Sequence, residues 1–527
     1  MKTLKTASMI LLSGFAALAL VACGDSSSSS DPVGPGLSSQ TPGSSNSGGN
    51  GGEGTSSEGG NPGGNSSAAT SSASGGGNVD PGEVDLSIFA IGSGNGAVPE
   101  TGNCGTESGT ISPSNGCMRY MGRVYNNTTN NSVDFNWAGI TIYARFTGTS
   151  VGMNVAVDEG STFWFDVYVD GVKVAMPTIS SPVTETTKDG ATVIWNHGSV
   201  RVTDAATNYP LKSGLAAGTH DLIIVKRTED NFHKVQFKGL VLDDGATLQP
   251  LDPAPTRKIE IIGDSYSVGY GNEYPTASAV SESDPYRQNA SGGECSSEQF
   301  YAYTNSAMNY GHIAAHMLNA QVQVNAYSGL GMERHYNGNT TYEKFPVYYG
   351  RVIQNDGGVL FDPQTYQPDV VVIMLGTNDF SMAINAGETY CVSGSCSGTF
   401  PQNDADVQAL ATAYRASYHK FLAMQRAVHP NAKFVIGATN LSFDGAGDIF
   451  KQQAQLVVDE EKAAGHNDVY YKVFANMTGY GCAWHPGWAL HRTWAKELAF
   501  QIDDDNITDW TASLSDLKWA DHSWEIP

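Results

Sequence analysis

Hydrophobic and polar positions divide this chain into three stretches of different rhythm. From about Asp85 to Leu251, short apolar runs are separated by Gly, Asn and Asp; examples are Gly139–Phe146, Phe163–Val169 and His220–Val225. Strand-length runs between turn signals predict an all-β sandwich, and Asp170-Gly171 is a tight-turn pair after one of them. After Pro253-Ala254-Pro255 the pattern becomes strand and helix in alternation. Strands are predicted at Lys258–Ile262, Gln321–Tyr327, Asp369–Leu375, Lys433–Ala438 and Asp468–Phe474, and helices over Phe300–Leu318, Asp404–Val428, Gly447–Ala464 and Trp488–Gln501. Within Ala405–Val428, the residues Val407, Leu410, Ala411, Tyr414, Tyr418, Phe421 and Leu422 recur at three- and four-residue steps and make one apolar face. This alternation specifies an α/β domain, a parallel sheet with helices on both faces.

The third rhythm precedes both. A short basic start, Met1-Lys2-Thr3-Leu4-Lys5, leads into an apolar run from Met9 to Val21 that is too short to span a bilayer comfortably. It ends in Leu20-Val21-Ala22-Cys23-Gly24, which resembles the lipobox of bacterial lipoproteins. The resemblance implies cleavage before Cys23, diacylation of its sulfur, and an exported protein tethered to the bacterial cell envelope, at the outer membrane or cell surface. From Gly24 to about Val84 the chain is Ser, Gly, Pro and Asn, with too few apolar groups to offset its ordering entropy; a flexible tether is expected. The divisions are therefore a leader over 1–22, a linker over 23–84, a β-sandwich over 85–252, an α/β domain over 256–506, and a Trp-containing tail over 507–527.

Charge narrows the partners. The formal net charge of −24 argues against nucleic acid, whose phosphates would be repelled, and is compatible with a neutral polysaccharide. Of seven cysteines, six remain once Cys23 is set aside, an even number that in an exported chain favours disulfides over metal ligation. The expected pairs are Cys104–Cys117, Cys391–Cys396 and Cys295–Cys482. His312 and His316 stand four residues apart on a helix but have no evident third ligand, so no metal and no cofactor are expected. A monomer is expected.

Three short pieces carry chemistry. Gly263-Asp264-Ser265 follows the first α/β strand, Gly376-Thr377-Asn378-Asp379 follows the third, and His485-Pro486 stands between the last strand and a helix. Carboxyl ends of parallel strands share one edge, where ligands bind, so these groups can converge. Acyl transfer to a serine needs a nucleophile, a base and donors for the developing oxyanion. Ser265 fits the nucleophile and His485 the base. The donors are the Ser265 N–H, the Asn378 amide and a glycine N–H from Tyr327-Ser328-Gly329-Leu330-Gly331. Pro486 is expected to open the next helix.

Gly263-Asp264-Ser265, Ser328-Gly329, Gly376-Thr377-Asn378-Asp379 and His485-Pro486 together resemble the four blocks of SGNH hydrolases. With a sandwich in front, and with Arg145–Val151, Val225–Glu229, Val235–Phe237 and Ser265–Gly271, the chain is similar to carbohydrate esterase family 2 from Asp85 to Asp505. The resemblance implies a jelly-roll sandwich before a flavodoxin-like SGNH domain. It also implies removal of O-acetyl groups from acetylated plant polysaccharide or oligosaccharide, xylan or mannan. Carried over, Ser265 is nucleophile, His485 base, and Ser265 N–H, Gly329 N–H and Asn378 the oxyanion donors. One departure stands out. SGNH enzymes commonly place an Asp two or three residues before the His, where this chain has Ala483 and Cys482. A main-chain carbonyl, that of Ala483, is expected to hold the histidine instead.

Trp484, Tyr266 and Tyr270 lie near these groups in sequence and are candidate sugar-binding residues; Trp484 reads equally as core filling. Two other functions fit less well: an SGNH lipase or thioesterase acting on longer acyl chains, and a non-catalytic glycan-binding surface lipoprotein.

Overall fold

Residues 84–174, 183–186, 192–195, 199–204, 207–229, 233–273, 303–396, 404–440, 449–477, 481–504 and 507–512 are described by the computed structural model, all within one unit, Asn78–Pro527. The leader, Cys23, the linker, Cys295, Trp519 and Trp524 lie outside the described residues.

Five strands form the α/β sheet: β1 (Lys258–Gly263), β2 (Gln321–Ala326), β3 (Val370–Met374), β4 (Lys433–Ala438) and β5 (Val469–Val473). They pair in parallel in the order β2-β1-β3-β4-β5. Every residue of β3 is buried, which is why its sequence is an unbroken apolar run rather than an alternation. In this order the chain leaves β1 in one direction and β3 in the other, and a crevice opens between their carboxyl ends.

Helices α1 (Ser265–Val268), α2 (Tyr310–Met317), α3 (Thr377–Phe380), α4 (Asp404–Val428), α5 (Ile449–Ala463) and α6 (Trp488–Asp504) follow the strands. On α4 the expected apolar face is buried from Leu410 onward, but Val407 is partly exposed. Asp406 is buried in its place, accepting the N–H and Oγ–H of Ser393 at 2.7 and 2.6 Å. The helix expected over Phe300–Leu318 is interrupted within its described part, which begins at residue 303. Asn305 caps a 3-10 turn at Ser306–Met308 and Asn309 caps α2, each accepting a backbone N–H inside the turn it begins. Asparagine competes with the helical backbone in this way, so two in succession break the run. Likewise α6 begins at Trp488, not at Pro486.

The preceding domain is built from two large antiparallel sheets, and Val183–Thr186 pairs with Thr192–Trp195 as a separate two-stranded antiparallel sheet. One large sheet contains Asn208–Lys212, Val151–Val157, Val235–Leu242, Ser132–Phe135, Tyr125–Asn127 and Thr110–Ile111. The other contains Val200–Thr203, Thr162–Val169, Gly218–Lys226, Thr141–Gly148 and Leu248–Gln249, with Met118–Met121 and Val172–Lys173 at its sides. This second sheet is covered on both faces. Leu222 and Ile224 join Ile142, Phe146, Val155 and Leu240 between the sheets. Ile223 and Val225, with Tyr143 and Tyr168, cluster with Ile259, Ile261, Met308 and Tyr310 of the α/β domain. The run Leu222-Ile223-Ile224-Val225 is apolar at every position because neither face meets water.

Polar contacts also cross this junction. The fully buried Arg123 places Nη2 3.1 Å from Glu260 Oε1 in the middle of β1, and Gln323, Asn325 and Tyr349 donate to the same carboxylate. The stretch expected to be sandwich from Asp85 has its first strand only at Thr110, and its beginning packs on the α/β domain instead: Phe89 meets Tyr349 and Phe361 edge-on, with centroids 6.0 and 6.4 Å away. The chain after α6 turns back onto the α/β domain, burying Ile507 and Trp510. Disulfides join Cys104 to Cys117 and Cys391 to Cys396. The Cys295–Cys482 pair falls outside the described residues through Cys295. Among the described residues, no helix is long and apolar enough to cross a membrane.

Candidate active site

Asp264, at the end of β1, accepts the Tyr266 N–H and so caps the single turn of α1. The turn ends at Gly269 with φ 80°, and Ser265 is its first residue. Helix termini leave their first N–H groups without an intrahelical acceptor, which suits the Ser265 N–H as a donor. The Ser265 hydroxyl is 2.8 Å from His485 Nε2. The other imidazole nitrogen, Nδ1, lies 3.0 Å from the Ala483 carbonyl and 3.1 Å from that of Cys482. With Nδ1–H donating to these carbonyls, Nε2 is left as the acceptor for Ser265 Oγ–H. The carbonyl of Ala483 is therefore where the sequence placed it, and that of Cys482 is a second acceptor beside it.

A tight turn delivers His485. Gly481 N–H donates to His485 O at 2.7 Å and His485 N–H to Cys482 O at 3.0 Å. Between them Ala483 and Trp484 both adopt left-handed backbone, with φ of 46° and 60°, a conformation that costs a non-glycine residue about 1–2 kcal/mol. The strain is held from outside by the segment that follows the serine. Cys482 N–H donates to Gly271 O at 3.0 Å, and Trp488 N–H to Asn272 O at 2.8 Å. Gly271 has to be glycine, since a Cβ there would lie 2.2 Å from Cys482 Cβ.

Asn378, in α3, gives one amide proton to Leu330 O at 2.8 Å and directs the other toward Asp264 Oδ2 at 3.3 Å. It thus stands between the serine turn and the loop that carries Gly329. That glycine has φ 81°, and a Cβ built on it would touch nothing within 4 Å, so open space lies beside its backbone. Asp379 holds the far side of the same loop, accepting the N–H groups of Met332, Glu333 and Arg334 at 2.9, 2.8 and 2.8 Å.

Burial dominates the electrostatics. It lowers His485 to about 4, against an upward pull from the Ala483 and Cys482 carbonyls. It raises Asp264 to about 7, with the Tyr266 N–H opposing and Asp379 adding to the rise. Asp379 rises to about 6 for the same reason, opposed by its three backbone donors. Among the described residues, no group of three or more His, Cys, Asp or Glu is placed to hold a metal. His312 is buried against the backbone of Gly139.

The aromatic candidates separate. Trp484 is 40% exposed beside His485. Tyr270 stacks on the imidazole with centroids 4.2 Å apart. Tyr266 is only 2% exposed and meets the same imidazole edge-on at 5.6 Å. A ring so covered offers no face to a sugar, so Tyr266 is a support for His485 and not a substrate-binding residue. Sequence reasoning missed Glu229, which reaches from the sandwich and accepts the Ser328 N–H at 3.0 Å. It lies in Val225–Glu229, one of the stretches that carry the family resemblance, where its residue type alone assigned it no role; Lys226, Arg227, Thr228 and Glu229 are all buried.

The GDSL-like lipase/acylhydrolase family matches residues 261–495, and the carbohydrate esterase 2 N-terminal family matches 120–194 and 195–252. An acetylxylan esterase / glucomannan deacetylase of Cellvibrio japonicus is 32% identical over 279 residues, 53% of this chain and 67% of that one. The cellulase/esterase CelE of Acetivibrio thermocellus is 29% identical over 373 residues, 69% of this chain but 37% of that one. A solved family two carbohydrate esterase from Clostridium thermocellum, in complex with cellohexaose, is 26% identical with a TM-score of 0.55, covering 74% of this chain and 98% of that one. With both domains matched and a serine–histidine pair at the carboxyl edge of the parallel sheet, this chain belongs to carbohydrate esterase family 2.

Proposed function

We propose that this protein is a carbohydrate O-acetylesterase that removes acetyl groups from plant cell-wall xylan or mannan through a covalent acyl-enzyme. The observation that carries the reading is the 2.8 Å contact between Ser265 Oγ and His485 Nε2 at the open carboxyl edge of the sheet. The names of its relatives, an acetylxylan esterase / glucomannan deacetylase among them, support the substrate class.

In this mechanism Ser265 Oγ attacks the acetyl carbonyl carbon and its proton passes to His485 Nε2. The negative charge that develops on the carbonyl oxygen is met by the N–H groups of Ser265 and Gly329. The Asn378 amide proton now directed at Asp264 turns to it as third donor. As the sugar oxygen departs it takes the proton from Nε2, leaving acetyl on Ser265. Water then attacks the acetyl carbon as His485 Nε2 takes its proton; the bond to Ser265 Oγ breaks, Oγ takes that proton back, and acetate leaves. Carbonyls fix the tautomer of His485 but stabilise an imidazolium less than a carboxylate would. Because burial already disfavours the charged ring, the proton moves on readily to the leaving group.

Acetate release from acetylated xylan and acetylated glucomannan, by the wild type and by Ser265→Ala, tests the reading. Release by the wild type alone supports it; equal release by the variant rejects Ser265 as nucleophile. A series of p-nitrophenyl esters addresses the lipase or thioesterase alternative, which requires a rate that climbs from acetate to octanoate. Retention on polysaccharide without hydrolysis would instead indicate a binding protein. The same proposal extends to a jelly-roll topology for the antiparallel domain, a monomeric state, and a lipid anchor at Cys23 on the cell envelope. Loss of labelled fatty-acid incorporation in Cys23→Ala is the expected result for the anchor.

A further inference from the structure

We propose that Glu229, contributed by the sandwich domain, is a positioning residue that aims the Gly329 N–H into the oxyanion hole. This rests on the esterase reading above and assigns the sandwich a part in acyl transfer.

The backbone donors of the loop after β2, from Tyr327 to Arg334, are engaged at all but one position. Tyr327 N–H donates to Gly263 O at 3.1 Å and Leu330 N–H to Tyr327 O at 3.3 Å. Gly331 N–H donates to His335 Nδ1 at 3.2 Å, and those of Met332, Glu333 and Arg334 go to Asp379. Ser328 N–H donates to Glu229 Oε2. From Tyr327 to Arg334, Gly329 alone keeps its N–H unengaged among the described residues, and the space beside it is open. Its carbonyl is fixed on the other side, accepting the Tyr336 N–H at 2.9 Å. A peptide restrained before and after presents its one free donor in a fixed direction, the condition for oxyanion stabilisation without reorganisation.

Glu229 can act this way because its own segment is immobile. It is 3% exposed. Two residues earlier, the fully buried Arg227 donates its N–H to Trp164 O at 2.8 Å and accepts the Ser306 N–H at 2.9 Å. The Arg227 guanidinium contacts Asp166 at 3.1 Å and Glu273 at 2.5 Å. Glu273 directly follows Gly271 and Asn272, which hold the His485 turn. One short sandwich segment therefore touches the segment that carries the base turn and the loop that carries an oxyanion donor, and sets the spacing between them.

The test measures kcat and KM for p-nitrophenyl acetate in Glu229→Ala, Glu229→Asp and Glu229→Gln, per reactive Ser265 titrated to completion with a phosphonofluoridate. Glu229→Gln keeps an oxygen at the same reach and should stay within about fivefold of the wild type. Glu229→Ala and Glu229→Asp remove or retract the acceptor; kcat should fall about ten- to a hundredfold with KM nearly unchanged. Affinity for methylboronic acid, whose serine adduct places an oxygen in the oxyanion hole, should fall in parallel. Glu229→Ala at wild-type kcat overturns the proposal, as does boronate affinity that holds while kcat drops. If Glu229→Ala does not fold, the other two decide: Gln above Asp supports positioning by reach, and Asp above Gln overturns it. Wild type active on p-nitrophenyl acetate but inert on acetylated polysaccharide would defeat the substrate reading and leave this one standing. Wild type inert on both would sink both.

Discussion

The ring of Tyr270 lies on that of His485, with centroids 4.2 Å apart and planes 25° from parallel. Tyr266 closes a second side edge-on, and two carbonyls hold the Nδ1 edge. The imidazole has little freedom to swing from Ser265. Replacing Tyr270 by Ala should lower kcat on p-nitrophenyl acetate by about tenfold, roughly the cost of losing one aromatic contact and the rotamer it fixes. Tyr270→Phe, which keeps the ring, should remain near wild type; steady-state kinetics of the two variants check this.

The acid limb of the pH profile should lie well below the ordinary imidazole range. His485 works as a base only when neutral, and burial lowers its pKa to about 4. A lowered pKa means that the neutral ring persists as pH falls, so kcat/KM should hold its plateau to about pH 5 and decline through about 4. A limb centred near about 6.5, the unperturbed value, would contradict the burial argument.

Asp264 gives the opposite sign in stability. Its carboxyl is raised to about 7, so the folded protein retains a proton that the unfolded chain releases near 3.8. The contribution of this group is full below pH 3.8 and is lost as pH rises toward about 7. Buried histidines such as His312, lowered to about 4, shift stability the other way over part of that range, so only a difference between variants isolates the aspartate. Asp264→Asn should gain Tm relative to wild type as pH is raised from about 4 to 8. Paired thermal melts across that range check it, and a constant Tm difference would count against it.

Trp484 should matter for polymer and not for chemistry. It is exposed beside His485, and Trp484→Ala leaves the left-handed backbone requirement of the turn as it was. KM for acetylated polysaccharide should rise about three- to tenfold, the size of one aromatic stacking contact. Turnover of p-nitrophenyl acetate should stay within roughly twofold, because the Ser265–His485 contact is untouched. Parallel assays on the two substrates separate the effects.

The parts of this protein that were legible in its sequence are those whose signal is local. The β3 run from Val370 to Met374 announces a buried strand, and Asn378 follows it by a fixed short turn. Ser265 was readable the same way, directly after β1, and His485 by its place between the last strand and the last helix. What could not be read is the seam between the domains. Glu260 in β1, and Arg227 and Glu229 after Val225, carry charges that one expects at a surface. Each is buried because its partner comes from far along the chain: Arg123 for Glu260, Glu273 for Arg227, and the Ser328 N–H for Glu229. Tyr266 was misread for a related reason. A side chain on a one-turn helix has no periodicity from which to infer the side that is covered.

The antiparallel sheet covered on both faces sets what can be moved from this protein to another. Pro253-Ala254-Pro255 marks where the pattern changes, and it looks like the natural place to cut. A cut there would expose Ile223, Val225 and Tyr168 on one piece and Met308 and Tyr310 on the other, and would strand the Arg123 and Glu260 charges apart. Neither half is a module in the engineer's sense. The transplantable cassette, for fusion to another enzyme or display on another surface, runs from about residue 84 through Trp510, with Phe89 and Trp510 kept as its end seals.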